Sequence, residues 1–226
     1  MRALLFISLF IVCAVPLVAQ VTIPDLMFAA QLELAVPDAV NGDQLDDQHP
    51  SVAALTYLDL QGFGISNFTG LEYFTGLTWL SLRDNPVTFL PALGPNLVFL
   101  DISQTLLTEL PVMPDGLEHL NAQLTSITVF EDLPPALTTL DLGGNTIGQL
   151  GVLPSTLENL YLDDCGFTAF PLIQGPTSLL LLHMSYNPIQ SAPDLPLTLI
   201  EWECSQCGLA QLPVLPPQLQ WLSVND

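Results

Sequence analysis

The side chains that could carry acid–base, nucleophilic or metal chemistry in this 226-residue chain are three histidines, four cysteines and 23 Asp and Glu. Cys204-x-x-Cys207 has the spacing of a redox dithiol or of half a zinc site, but a thiolate zinc centre needs a second pair and none follows. Asp163 and Asp164 with His183 would offer two carboxylates and an imidazole to a divalent cation, without matching any established ligand spacing. There is no G-x-S-x-G elbow, no H-E-x-x-H, and no glycine-rich loop leading from a strand into a helix. Carboxylates are so frequent that a pair of them discriminates nothing. The residues therefore predict no catalytic residue, no metal centre and no cofactor: this is not an enzyme by its sequence.

The charge balance narrows the partners. Two Lys and Arg against 23 Asp and Glu give a formal charge of −21, which cannot screen phosphates, so nucleic acid and anionic lipid are excluded as partners. Half of the residues are hydrophobic and 11% are charged, which argues for a folded chain rather than a disordered one. Met1 to Ala19 reads as a secretory signal peptide: Arg2, an apolar run Ala3–Val15, Pro16, and a small residue at Ala19. Its removal would leave Arg83 as the sole basic side chain. The longest uncharged stretch, Cys165 to Pro193, is broken by Pro171, Pro176 and Pro188, so no membrane insertion is expected. The expected location is secreted or cell surface.

The elements that must position these groups are set by a period. Leu55, Leu77, Leu97, Leu117, Leu137, Leu157, Leu179, Leu199 and Leu219 are spaced by 20 or 22 residues, and each opens the same frame. The fourth position is Leu, or Trp202 in the eighth unit. The sixth is apolar, as in Leu60, Leu82, Ile102, Leu142 and Met184. The eleventh is apolar again, as in Ile65, Val87, Leu107 and Ile189. Alternation at positions 4 to 6 is that of a strand with one face buried. Position 9 holds Asn85, Asn145 and Asn187, with Thr105, Thr125, Cys165, Cys207 and Phe63 in other units; it calls for a side chain that satisfies turn backbone inside the stack.

The pattern L-x-x-L-x-L-x-x-N-x-L resembles the leucine-rich repeat, over residues 55–226. The resemblance implies an α/β-type solenoid, mostly parallel β, curved into a horseshoe, with eight complete units and a ninth cut short. Proline recurs in the second half of most units, as in Leu110-Pro111, Leu133-Pro134-Pro135, Leu153-Pro154 and Leu212-Pro213. It forbids helix there and predicts an extended, polyproline-like convex side, similar to short-repeat secreted bacterial proteins. The first unit, Gly70 to Gly76, lacks proline and could form a helical turn. Residues 20–54 fall outside the frame and read as an N-terminal helical cap, with a capped helix after Thr22-Ile23-Pro24-Asp25.

The same frame locates the candidate groups. His119 and His183 lie three units apart, roughly 14 Å at ~4.8 Å per strand, too far for a dyad. Cys165 and Cys207 occupy position 9 two units apart, ~10 Å and beyond disulfide reach, and are expected as buried thiols. Asn67-x-Thr69 is a glycosylation sequon only in a eukaryotic source, and the column Ser66, Thr88, Thr108, Thr128, Thr168 is ordinary for such repeats and is interrupted by Gly148 and Gln190. Outward strand positions form columns on the concave face. Tyr57, Trp79 and Phe99, beside Asp59, Arg83 and Asp101, make the best ligand patch; Asp141, Tyr161, Asp163, His183 and Tyr186, beside Asp164, make a second. The expected function is a non-catalytic extracellular recognition scaffold that binds a protein on its concave sheet, the charge favouring a basic one. A carbohydrate-binding module and a structural spacer or adhesin segment of a larger surface protein are the alternatives.

Overall fold

The computed structural model describes residues 20–171 and 178–225. The signal-peptide reading of residues 1–19 falls outside them. Two short strands, β1 (Gln20–Thr22) and β2 (Val40–Asn41), flank β3 (Gln44–Asp46) in an antiparallel three-stranded sheet. Between β1 and β2 runs α1 (Leu26–Ala35), and α2 (Pro50–Ala54) follows β3. Asp25 caps α1: its Oδ1 accepts from the backbone N–H groups of Met27 and Phe28, at 3.0 and 3.2 Å. His49 caps α2, its Nδ1 accepting from Ser51 N–H, with Pro50 at the first helical turn. One candidate imidazole is thereby given a structural role.

The repeats build one nine-stranded sheet whose strands follow one another in sequence order, all parallel. They are β4 (Tyr57–Asp59), β5 (Trp79–Ser81), β6 (Phe99–Asp101), β7 (His119–Asn121), β9 (Thr139–Asp141), β11 (Asn159–Tyr161), β12 (Leu181–His183), β13 (Glu201–Glu203) and β14 (Trp221–Ser223). The register pairs Tyr57 with Trp79, Trp79 with Phe99, and so on to Glu201 with Trp221, so every third repeat position forms a single column. On the opposite side the described residues form no helix apart from a 3-10 turn at Leu71–Tyr73 in the first unit. The sequence did not anticipate that two convex segments, β8 (Val129–Phe130) and β10 (Gln149–Leu150), pair in parallel. Gln149 and Glu131 also join side chains there.

Between the two sides lies a continuous apolar column. Leu58, Leu80, Leu100, Leu120, Leu140, Leu160, Leu182 and Trp202 stack inward from the strands, all buried. Asn85, Asn145 and Asn187 close the turns between units. Each side-chain Nδ2 donates to a carbonyl of the unit before and to one of its own unit, with a second of its own unit at 3.2 Å for Asn85 and Asn187, and each Oδ1 accepts a backbone N–H of the preceding unit at 2.9–3.0 Å. The turn itself requires a left-handed residue at position 8, occupied by Gly62, Asp84, Gln104, Leu124, Gly144, Asp164, Tyr186 and Gln206. Phe28 of α1 meets Phe68 of the first unit edge to face at 5.2 Å. Gly70, at φ +109°, has no room for a Cβ against Ile23.

The cysteines need one correction. Cys165 is a buried free thiol, as expected, and its Sγ donates to Leu142 O at 3.3 Å, the slot an asparagine fills elsewhere. Cys207, however, is bonded to Cys204 in a buried disulfide, with Cα atoms 5.5 Å apart. Positions 6 and 9 both point inward, and the left-handed turn at Gln206 brings them together within a single unit.

Candidate functional site

The concave face is the outer face of the nine-stranded sheet. At its N-terminal end the parallel register sets Tyr57, Trp79 and Phe99 one strand apart, and ~4.8 Å strand spacing is also a ring-stacking distance. The ring centroids of Tyr57 and Trp79 lie 4.4 Å apart at 15°, and those of Trp79 and Phe99 lie 4.9 Å apart at 4°. His119 continues the column, tilted 45° to Phe99 at 6.3 Å. The stack covers its own ring faces. It presents to solvent the ring edges and the outer face of Tyr57, which is 56% exposed.

The acidic residues beside it are differently placed from what the columns suggested. Asp59 is exposed but Asp101 is buried, and each uses Oδ1 to accept the N–H two residues on, from Gln61 and Ser103 at 3.1 and 2.9 Å. Asn121 and Asp141 repeat this bond to Gln123 and Gly143, both at 3.1 Å. Position 5 thus favours Asp or Asn for its local side-chain-to-backbone bond, a structural reason independent of any ligand. Arg83 is half-buried. Among the described residues its guanidinium has no carboxylate within salt-bridge distance, and its Nε is buried without a partner.

The second group is only partly assembled. Tyr161 and His183 meet edge to face at 5.0 Å. Asp163 Oδ1 accepts Ser185 N–H at 2.7 Å, and Asp141 bonds the Gln123 side chain. Asp164 and Tyr186, both left-handed turn residues, are exposed at the rim instead of joining the cluster. What His183 does meet is Glu201 and Glu203 on the neighbouring strand. Nε2 is 3.0 Å from Glu201 Oε1 and Nδ1 is 3.6 Å from Glu203 Oε2. The signal was present in the frame: His183 and Glu203 are directly paired across β12 and β13, and Glu201 lies two residues before Glu203 on the same face.

Carboxylates crowd this region. Burial, and then the charges of Asp163 and Asp101, push the Asp141 carboxyl up, against hydrogen bonds from Gly143 and Gln123. Burial raises Asp163 as well, with Glu203 adding to the shift and Ser185 N–H and His183 opposing it. The Tyr161 phenol is raised by burial and by the carboxylates of Asp141, Glu201 and Asp163.

Comparison with known proteins agrees with the repeat fold. Residues 136–160 match the leucine rich repeat family. Over 69% of the chain the structure superposes on YopM, a leucine-rich effector protein from Yersinia pestis, with a TM-score of 0.62 at 28% identity. The fold is a leucine-rich-repeat horseshoe. YopM from Yersinia enterocolitica WA-314 aligns over 67% of the chain with a TM-score of 0.53 at 30% identity. The functional domain of InlJ from Listeria monocytogenes, described as including a cysteine ladder, aligns over 92% with a TM-score of 0.56 at 22% identity, a likeness of fold alone. The chain spans 44% and 38% of the two YopM structures and 62% of InlJ. Curated proteins gave no match. Among the described residues no helix is long and apolar enough to cross a membrane.

Proposed function

We propose that this chain is a non-catalytic, exported recognition scaffold that binds a protein on its concave sheet, with residues 20–54 acting as the N-terminal cap. The observation that carries the proposal is the near-parallel stack of Tyr57, Trp79 and Phe99 on the solvent side of the sheet. Stacked rings on a fixed backbone contribute apolar contact with little entropy left to lose, which is how binding hot spots are built. The stack also favours a protein over a carbohydrate: a sugar lies on a ring face, and the faces between these rings are already occupied. The layout of residues 1–19 supports export, and likeness to a leucine-rich effector fits a chain that acts by contacting another macromolecule.

A partner with a basic surface suits a chain of charge −21. The test is a screen of the chain against arrays of extracellular proteins and glycans, repeated with a Trp79→Ala/Phe99→Ala double variant. Protein ligands are expected that the variant loses and that added salt weakens. Equal binding by both forms would remove the concave stack from the account.

A further inference from the structure

We propose that His183, Glu201 and Glu203 form a binding site for a divalent transition metal such as Zn2+ on the C-terminal half of the concave face. One ligand atom from each of the three lies within 4.8 Å of the others. Donors around one Zn2+, at bond lengths of ~2.1 Å, sit about 3.0–3.5 Å apart, so small side-chain rotations bring these three onto one ion. They share one face of two hydrogen-bonded strands, which fixes their backbones and leaves the solvent side open for water ligands.

The donor set selects the metal class. One imidazole with two carboxylates suits borderline cations such as Zn2+ or Ni2+; Ca2+ prefers a shell of oxygens alone, and soft ions prefer thiolates. The arrangement around the ring is a second argument. Both nitrogens of His183 face a carboxylate, at 3.0 and 3.6 Å. A neutral imidazole carries one N–H, so one of those contacts sets a nitrogen lone pair against a carboxylate. A metal on that nitrogen turns the contact into shared coordination. It also adds positive charge where the carboxylates of Asp141, Asp163, Glu201 and Glu203 gather.

Two tryptophans report on the site: Trp202 lies between the two glutamates in sequence, and Trp221 is paired with Glu201 across β13 and β14. The full chain, stripped with chelator, is titrated with Zn2+ by calorimetry and with Ni2+ by tryptophan fluorescence. One saturable equivalent is expected, with quenching by Ni2+ that Zn2+ reverses. His183→Ala and Glu201→Gln/Glu203→Gln should each weaken binding by about 10- to 100-fold or more, while Asp38→Asn/Asp115→Asn, which removes the same charge from exposed positions elsewhere on the molecule, leaves it unchanged. Absence of saturable binding, an equal loss in the Asp38/Asp115 control, or Ca2+ displacing Zn2+ at equal concentration would each overturn the proposal. The aromatic stack plays no part in this measurement, so the metal site and the protein-binding proposal can fail separately.

Discussion

Asn145 shows why position 9 belongs to asparagine. Buried in the stack, it donates to Ala122 O and Leu142 O at 2.8 Å and accepts from Thr125 N–H and Oγ1 at 2.9 Å. Asn145→Ala would strand these groups in the core, and we expect a loss of about 2–4 kcal/mol in urea unfolding; a loss under ~0.5 kcal/mol would mean that the ladder is incidental. Cys165 is the neutral variant of the same device. Burial, ahead of the charges of Asp163, Asp141 and Asp164, pushes its thiol up to about 12, so it should resist alkylation in the native protein at pH 8 and react only on unfolding. Rapid native labelling of Cys165 would contradict its placement. The asparagine ladder was legible because a strict period fixes which side chains face inward. The Cys204–Cys207 bond was not, because positions 6 and 9 approach only through the left-handed turn at Gln206, which period alone does not reveal. The aspartates of position 5 carry a structural task that the period does not reveal: Asp59 and Asp101, read as ligand groups, each also satisfy a turn N–H.

At the scale of elements, the join between α1 and the first repeat rests on one carboxylate. Asp25 caps the helix through Oδ1, while Oδ2 accepts from Ser66 N–H and Oγ and from Asn67 N–H, at 2.9, 3.1 and 3.3 Å. Its partial burial, the largest single influence, raises its pKa, but the bonds from Ser66, Phe28 and Met27 together outweigh this and hold it below the ordinary value of 3.8. A carboxyl with a depressed folded pKa stabilises above its unfolded pKa, and that contribution is lost as pH falls through the folded value. Asp25→Ala should therefore cost about 1 kcal/mol near neutrality and progressively less below pH 4, read from urea melts at the two pH values; a cost that does not diminish in acid would refute the capping role of the charge. The strands and their order were readable from the leucine frame, and α1 from Asp25 and the apolar residues after it. The β8–β10 pair was not, since Val129–Phe130 and Gln149–Leu150 sit in segments where proline argued only against helix, and an extended chain beside an extended chain is free to pair.

For the whole molecule, stacking places one outward residue of every unit in a column, and this converts a repeated sequence into a continuous surface. The aromatic end of that surface was legible, because residues 22 or 20 apart become neighbours at strand spacing: Tyr57, Trp79 and Phe99 are in contact as the frame required. The acidic end was legible only in part, because side-chain reach decides which neighbours meet: His183 turns to Glu201 and Glu203, while Asp164 and Tyr186 turn out at the rim. The proposed recognition surface is the concave aromatic stack, rather than the exposed apolar residues of the convex side such as Phe89 and Val112. The most direct measurement is the dissociation constant of an identified protein ligand for three forms: wild type, Trp79→Ala/Phe99→Ala, and Phe89→Ala/Val112→Ala. Loss of two stacked anchors should weaken binding by about 30-fold or more, at ~1 kcal/mol or above each, while the convex pair leaves it unchanged; the reverse order would place the recognition surface on the other side of the molecule.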